Sequence, residues 1–121
     1  MNSIDFLVQT TMDADRREKY ELYVQGKNRQ LEYYGVLVPD DERMAEEFRR
    51  ERMHGRIVEC HFDANYPTHW HFMRFRDDKN TPNFIDVAQK IMQSIQNGVP
   101  EDRVRLQNNM LIYRVLFVAQ G

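Results

Sequence analysis

The chain has 121 residues, of which 41% are hydrophobic and 30% charged, and its formal net charge is −2. That length supports one domain around one core, and that composition excludes a disordered chain. A net charge so near zero provides no global field for nucleic acid, so any anion binding must come from a local cluster of Lys and Arg.

The opening Met1-Asn2-Ser3-Ile4-Asp5 has neither the basic nor the apolar region of a signal peptide. Residues 4–10 form a mixed apolar run, and residues 12–19 a polar, charged connection. Residues 20–24 read as a second strand, Gln25-Gly26-Lys27-Asn28 as a turn, and residues 31–38, rich in Tyr, Val and Leu, as a third strand. Pro39 stops that strand. An Asp at the N-cap then opens a mostly solvated helix with Met44 and Phe48 at i, i+4, for which Gly55 is the expected stop. Residues 56–62 form a strand with Val58, Cys60 and Phe62 on one face. Residues 63–68 form a loop, and residues 70–76 return as the hairpin partner. Thr81-Pro82 predicts an N-cap and N1 pair. The stripe of Phe84, Val87, Ala88, Ile91 and Ile95 predicts the buried face of a helix ending at Gly98. Pro100-Glu101-Asp102 reads as the start of a further helix, and residues 110–119 fit either helix or strand. The sum is a mainly β domain with flanking helices: an OB-type five-stranded barrel with an inserted helix and a C-terminal helix. Residues 115–119, the nearest approach to a membrane segment, are far too few to span one. The single Cys60 excludes an intramolecular disulfide, which suits the nucleus or cytosol.

The chemistry concentrates in Trp70-His71-Phe72-Met73-Arg74-Phe75-Arg76-Asp77-Asp78-Lys79. Strict strand alternation puts Trp70, Phe72, Arg74 and Arg76 on one face and His71, Met73 and Phe75 on the other. The two guanidinium groups then stand about 7 Å apart along the strand, with Lys79 following in the turn. Arg forks grip phosphate oxygens bidentately and Lys adds a compact charge, so the arrangement suits a polyphosphate. The plainer reading is a charged strand end with local Arg–Asp pairs, which is common and worth little.

Residues 74–79 resemble the R-x-R-x-D-K element, motif VI of the covalent nucleotidyltransferases. The flanks resemble the mRNA guanylyltransferase branch: Gly55-Arg56-Ile57-Val58-Glu59-Cys60-His61-Phe62 before the element, Asn2-Ser3-Ile4-Asp5-Phe6 near the start, and Asn83 with the following helix after it. The resemblance runs in order up to about Val104. It implies a C-terminal OB lobe, residues 1–121, that closes over GTP on a larger nucleotidyltransferase lobe absent from this chain. A lysine of that lobe attacks the α-phosphate, giving lysyl-GMP and pyrophosphate with Mg or Mn in the full enzyme. GMP then passes to the 5′ diphosphate end of RNA. It further implies that Arg74 and Arg76 hold β- and γ-phosphate oxygens, that Asp78 orients the triphosphate or its partners, and that Lys79 completes the clamp. No catalytic residue and no metal ligand is expected in this chain. Implied partners are GTP, the 5′ end of nascent RNA and the nucleotidyltransferase lobe, with an RNA triphosphatase and the phosphorylated tail of RNA polymerase II as further candidates. The implied location is the nucleus. No K-x-D-G follows Lys19, Lys27, Lys79 or Lys90, so this chain is not expected to catalyse the reaction alone, and residues 105–121 match nothing in the family's pattern. An alternative from another class is a stand-alone OB module that binds a polymerase-tail peptide or single-stranded RNA.

Two other constellations stand beside this element. Cys60, His61, His69 and His71 cluster on the hairpin, but Cys60 and His61 point opposite ways, so a packed Cys with polar histidines is the plainer reading than zinc. Tyr20, Tyr23, Tyr33, Tyr34 and Trp70 could stack bases, but small barrels fill with such rings. Met44 and Phe48 could dock on the other lobe or a partner.

Overall fold

The computed structural model of the protein describes residues 2–65 and 67–97. The expected stop at Gly98, the helix start at residues 100–102 and the segment 110–119 lie outside them. The elements are β1 (Ser3–Met12), β2 (Glu18–Gln25), β3 (Leu31–Leu37), α1 (Glu42–Glu51), β4 (Ile57–Phe62), β5 (Trp70–Phe75) and α2 (Ile85–Asn97). A single 3₁₀ turn, Lys27–Arg29, joins β2 to β3. The strands run β1-β2-β3-β5-β4 around a closed barrel. Neighbours are antiparallel except β3 and β5, which meet in parallel at Leu37 and Trp70. This is the OB-type barrel that the sequence pattern predicts, with α1 inserted between β3 and β4 and α2 following β5.

Alternation builds the interior. Ile4, Phe6 and Val8 of β1, Leu22 and Val24 of β2, and Val58 and Cys60 of β4 are fully buried. Trp70 sits among Phe6, Tyr34 and Phe62, with ring centroids 4.8, 6.1 and 5.1 Å away. Helix α1 closes the barrel through Phe48, which packs edge-on against Tyr20 and Phe72, each at 5.2 Å. Its N-cap is Asp41, whose carboxylate accepts the Met44 N–H at 2.8 Å. The helix ends earlier than Gly55, at a left-handed Arg52 (φ 51°). Met53 is drawn into the core at 2% exposure, so the chain must turn before the glycine. Gly55 instead supplies a positive φ of 83° in the turn into β4, and its N–H donates to the Val8 carbonyl at 2.8 Å.

Helix α2 departs from the expected stripe. Phe84 and Val87 are exposed, while Ala88, Met92 and Ile95 are buried, with Ile85 and Ile91 packed beside them. The helix also begins at Ile85 rather than after Thr81. Asn83 makes tertiary hydrogen bonds from its backbone and side chain, to Asp5 and Gln25, in place of helical ones. Those bonds set both the start and the rotation of the helix.

Of the rings weighed as stacking platforms, Tyr20, Tyr34 and Trp70 are core. Tyr23 and Tyr33 pair edge-on at 5.8 Å and are half-buried. The Tyr34 hydroxyl is buried with no hydrogen-bond partner, and loss of solvent pushes its pKa upward. An unpaired buried hydroxyl costs about 1–3 kcal/mol. Tyr34→Phe is therefore expected to raise stability by about 1 kcal/mol, read as a higher denaturation midpoint at unchanged m-value; a lower midpoint would show that the hydroxyl is satisfied.

Candidate phosphate-binding site

The strand carrying residues 74–79 does not alternate cleanly. Cys60 faces Phe72 and Glu59 faces Arg74, so Met73 is an extra residue on β5. The bulge shifts parity: Trp70 and Phe72 point inward, and after Met73 it is Phe75 that packs on the core. Arg74 and Arg76 do share a face, but it is the outer face of the barrel, not the face of Trp70 and Phe72. Strict alternation gave the right pairing of the arginines with the wrong companions.

Across the outer surface, Asp5 of β1 lies beside Glu59 of β4, which lies beside Arg74 of β5. Glu59 accepts from Arg74 Nε at 2.5 Å and from the Ser3 hydroxyl at 2.6 Å. Arg76 follows β5; its N–H donates to the Ile57 carbonyl at 2.9 Å, which holds it against the sheet. Its guanidinium donates to both Asp5 carboxylate oxygens at 3.1 Å and to Asp78 at 3.2 Å. The Lys79 N–H closes a turn onto the Arg76 carbonyl at 3.0 Å, which brings Lys79 Nζ to Asp5 at 2.6 Å. Asp5 is itself buried, with 6% exposure. Its N–H donates to the Asn83 side-chain oxygen at 2.7 Å, and its carbonyl accepts the Asn83 N–H at 2.9 Å. Arg56 lies on the Phe75 ring, 3.7 Å from its centroid, and pairs with Asp77 at 2.7 Å and Glu51 at 3.2 Å.

The four expected site residues, Arg74, Arg76, Asp78 and Lys79, thus fall in one cluster. Sequence reasoning missed Asp5, Glu59 and Arg56 as its members. Asp5 lies 71 residues from Arg76, so no local pattern joins them; only the closure of the barrel does. The cluster sets four cations against five carboxylates. Any phosphate must therefore displace carboxylates, and exposure decides which. Asp77 and Asp78 are 76% and 70% exposed, whereas Asp5 and Glu59 are 8% and 14%. Pairs with exposed carboxylates break at little cost. Arg74, 63% exposed, is the cation most open to a ligand.

The hairpin histidines stand apart. His61 stacks on His71 at 5.2 Å, His69 lies 4.6 Å from His71, and His71 Nδ1 meets Asp40 at 3.2 Å. Cys60 points into the barrel, where burial pushes its thiol pKa well up. The four side chains do not converge, and among the described residues no group of three or more His, Cys, Asp or Glu could hold a metal ion.

A closed five-stranded barrel with a cationic strand end on its outer wall defines an OB-fold domain with a candidate anion site. Residues 1–105 match the family described as mRNA capping enzyme, C-terminal domain. The chain is 30% identical over 111 residues to the mRNA-capping enzyme subunit alpha of Schizosaccharomyces pombe, covering 84% of this chain and 27% of that protein. It is 38% identical over 73 residues to the subunit alpha of Eremothecium gossypii, covering 60% and 16%. With that of Saccharomyces cerevisiae it shares 37% identity over 64 residues, covering 53% and 14%. The chain belongs to the family of mRNA capping enzyme C-terminal domains, and it spans about a quarter or less of the length of these relatives.

The Ser3 hydroxyl first, and Arg74 second, hold the Glu59 pKa below the usual carboxylate range. A carboxyl with a depressed folded pKa stabilises the fold above its ordinary value, and that contribution is lost as pH falls through the folded pKa. The wild-type melting temperature is therefore expected to drop as pH falls from about 4.5, the ordinary value, and Glu59→Gln to flatten that drop; equal slopes would refute the coupling. Asp5→Asn, which strips two cations of a buried counter-charge, is expected to lower the melting temperature more than Asp78→Asn does at the exposed end of the cluster.

Proposed function

We propose that this domain is the OB lobe of an mRNA guanylyltransferase, and that its outer cationic strand end engages the β- and γ-phosphates of GTP held on a separate nucleotidyltransferase lobe. The observation that carries this reading is the outward grouping of Arg74, Arg76 and Lys79, in which the Asp78 partner of Arg76 is exposed and displaceable. Family membership supports it.

In the proposed reaction, a lysine of the other lobe attacks the α-phosphate. A lysine–phosphorus bond forms, and the bond from the α-phosphorus to the bridging oxygen breaks. Negative charge gathers on the departing pyrophosphate. Arg74 meets it as the exposed fork, with its Nε resting on Glu59. Arg76 is held by Asp5 and by the Ile57 carbonyl, so it presents a fixed donor once Asp78 yields. Lys79 adds a point charge on the same side. Asp78 then serves Arg76 more than the phosphates: it orients the guanidinium before the ligand arrives. The positions are set in advance by the barrel, so little reorganisation remains for the moment of reaction. The divalent cation of the proposed reaction would travel with the triphosphate. Transfer of GMP to the 5′ diphosphate end of RNA, and with it nuclear mRNA capping, follows from the same proposal, as do an RNA triphosphatase and a phosphorylated polymerase tail as partners.

The test joins this chain to the nucleotidyltransferase lobe of a fungal relative and supplies GTP labelled at the α-phosphate, without RNA. Covalent label on the lobe's lysine is expected with the wild type. It is expected to fall by about 100-fold or more in Arg74→Ala and in Lys79→Ala, with far-ultraviolet circular dichroism unchanged. Wild-type labelling by both variants would sink the reading.

A further inference from the structure

Beside the cationic strand end lies a second feature that the phosphate contacts do not use. The 3₁₀ turn Lys27–Arg29 and the start of α2 enclose a cleft of about 610 Å³, a size suited to a small ligand. Phe84 lines it and is 64% exposed, the most exposed aromatic ring among the large hydrophobic residues of the described chain. Lys27 and Arg29 line it too. Neither is engaged in an ion pair among the described residues, in contrast to every Arg and Lys of the neighbouring cluster. Asp86 is the one carboxylate of the lining, and it stands in the first turn of α2, where a negative charge suits the helix dipole. The turn itself is strained: Asn28 (φ 59°) and Arg29 (φ 61°) are successive non-glycine residues in the left-handed region.

The cleft is continuous with the phosphate site through one residue. Asn83 exchanges hydrogen bonds with Asp5, the anchor of Arg76 and Lys79, and its carbonyl accepts the Gln25 N–H at 2.9 Å on the cleft side. Gln25 and Phe84, both of the cleft lining, then form a parallel bridge. A flat exposed ring, two uncompensated cations and a link to a phosphate-handling cluster match the chemistry of single-stranded nucleic acid. A base stacks on an aromatic face, and its backbone phosphate meets the cations.

We propose that the cleft between the Lys27–Arg29 turn and the start of α2 is a subsite for one nucleotide of the RNA acceptor, with its base on Phe84 and its phosphate between Lys27 and Arg29. The inference rests on the guanylyltransferase reading for the identity of the strand. It makes this domain a participant in the second half of the reaction, in which RNA must be presented to the bound GMP, as well as in the first. It also gives a role to the exposed ring of Phe84 at the start of α2.

The test measures fluorescence anisotropy of the full chain with a single-stranded RNA hexamer that carries a 5′ diphosphate and a 3′ fluorescein. The wild type is expected to bind. Phe84→Leu keeps an apolar side chain but removes the ring, and is expected to weaken binding about tenfold, while Phe84→Trp retains it. Lys27→Ala with Arg29→Ala is expected to weaken binding and to reduce the slope of log K against log salt by about 0.7, the value for one phosphate contact on a single strand. All these side chains lie on the surface, and circular dichroism checks that each variant folds. Wild-type affinity in Phe84→Leu, an unchanged salt slope in the double variant, or no binding by the wild type at about 1 mM protein, the weak end of useful affinities, would each overturn the subsite. The labelling assay contains no RNA, so its result stands or falls separately: normal lysine labelling with no Phe84 effect removes the subsite and leaves the guanylyltransferase reading in place.

Discussion

The buried carboxylate of Asp5 is the constraint around which the site is arranged. It sits in β1, nearly out of solvent, and answers Arg76 and Lys79 from the far end of the chain. A buried carboxylate is tolerated only when paired and hydrogen-bonded, so the burial of Asp5 and the placement of the two cations are one problem with one solution. Its backbone is tied in turn to Asn83, which fixes where α2 begins. Strand, cationic turn and helix are thereby locked to one another at a single residue. A site assembled this way is buried where it meets the barrel and open at its rim, where Arg74, Asp77 and Asp78 are exposed. Under the proposed reading, that division would let exposed carboxylates give way to a ligand's phosphates.

Much of the fold was legible because its signals are local. Strands of alternating apolar residues, Pro39 after β3 and the Asp N-cap of α1 all fall within a few residues of where the sequence puts them. The errors share a cause: a tertiary contact overrode a local rule. Thr81-Pro82 is a sound helix start in isolation, but the Asn83 backbone is committed to Asp5 and Gln25, so the helix opens later and turned differently. Gly55 is a sound helix stop, but Met53 is needed in the core first. The cationic element was legible as a string, and its four members do meet. Its supports were not, because Asp5, Glu59 and Arg56 become neighbours only when the barrel closes.

Under the two proposals, the two sides of the domain's outer wall would divide the labour between charge and shape. On the strand side, cations are compensated and mostly fixed, so selectivity there would come from geometry: a fork at Arg74, a fork held in place at Arg76 and a point charge at Lys79. On the cleft side, Lys27 and Arg29 make no ion pair among the described residues and the ring of Phe84 is exposed, so recognition there would be tolerant of base identity.

The bulge at Met73 has a consequence for how the gene can change. Because that one extra residue reverses which side chains reach the core, the interval between Phe72 and Phe75 behaves as a reading frame for the barrel wall. Removing or adding a single residue there would turn Phe75 to water and an arginine into the interior, whereas adding or removing two would preserve the sense of both faces. Indels in this stretch are thus filtered by parity as much as by length. A domain of this kind should be sought with a pattern that carries the odd spacing, three from Phe72 to Phe75, rather than with one that assumes an unbroken strand.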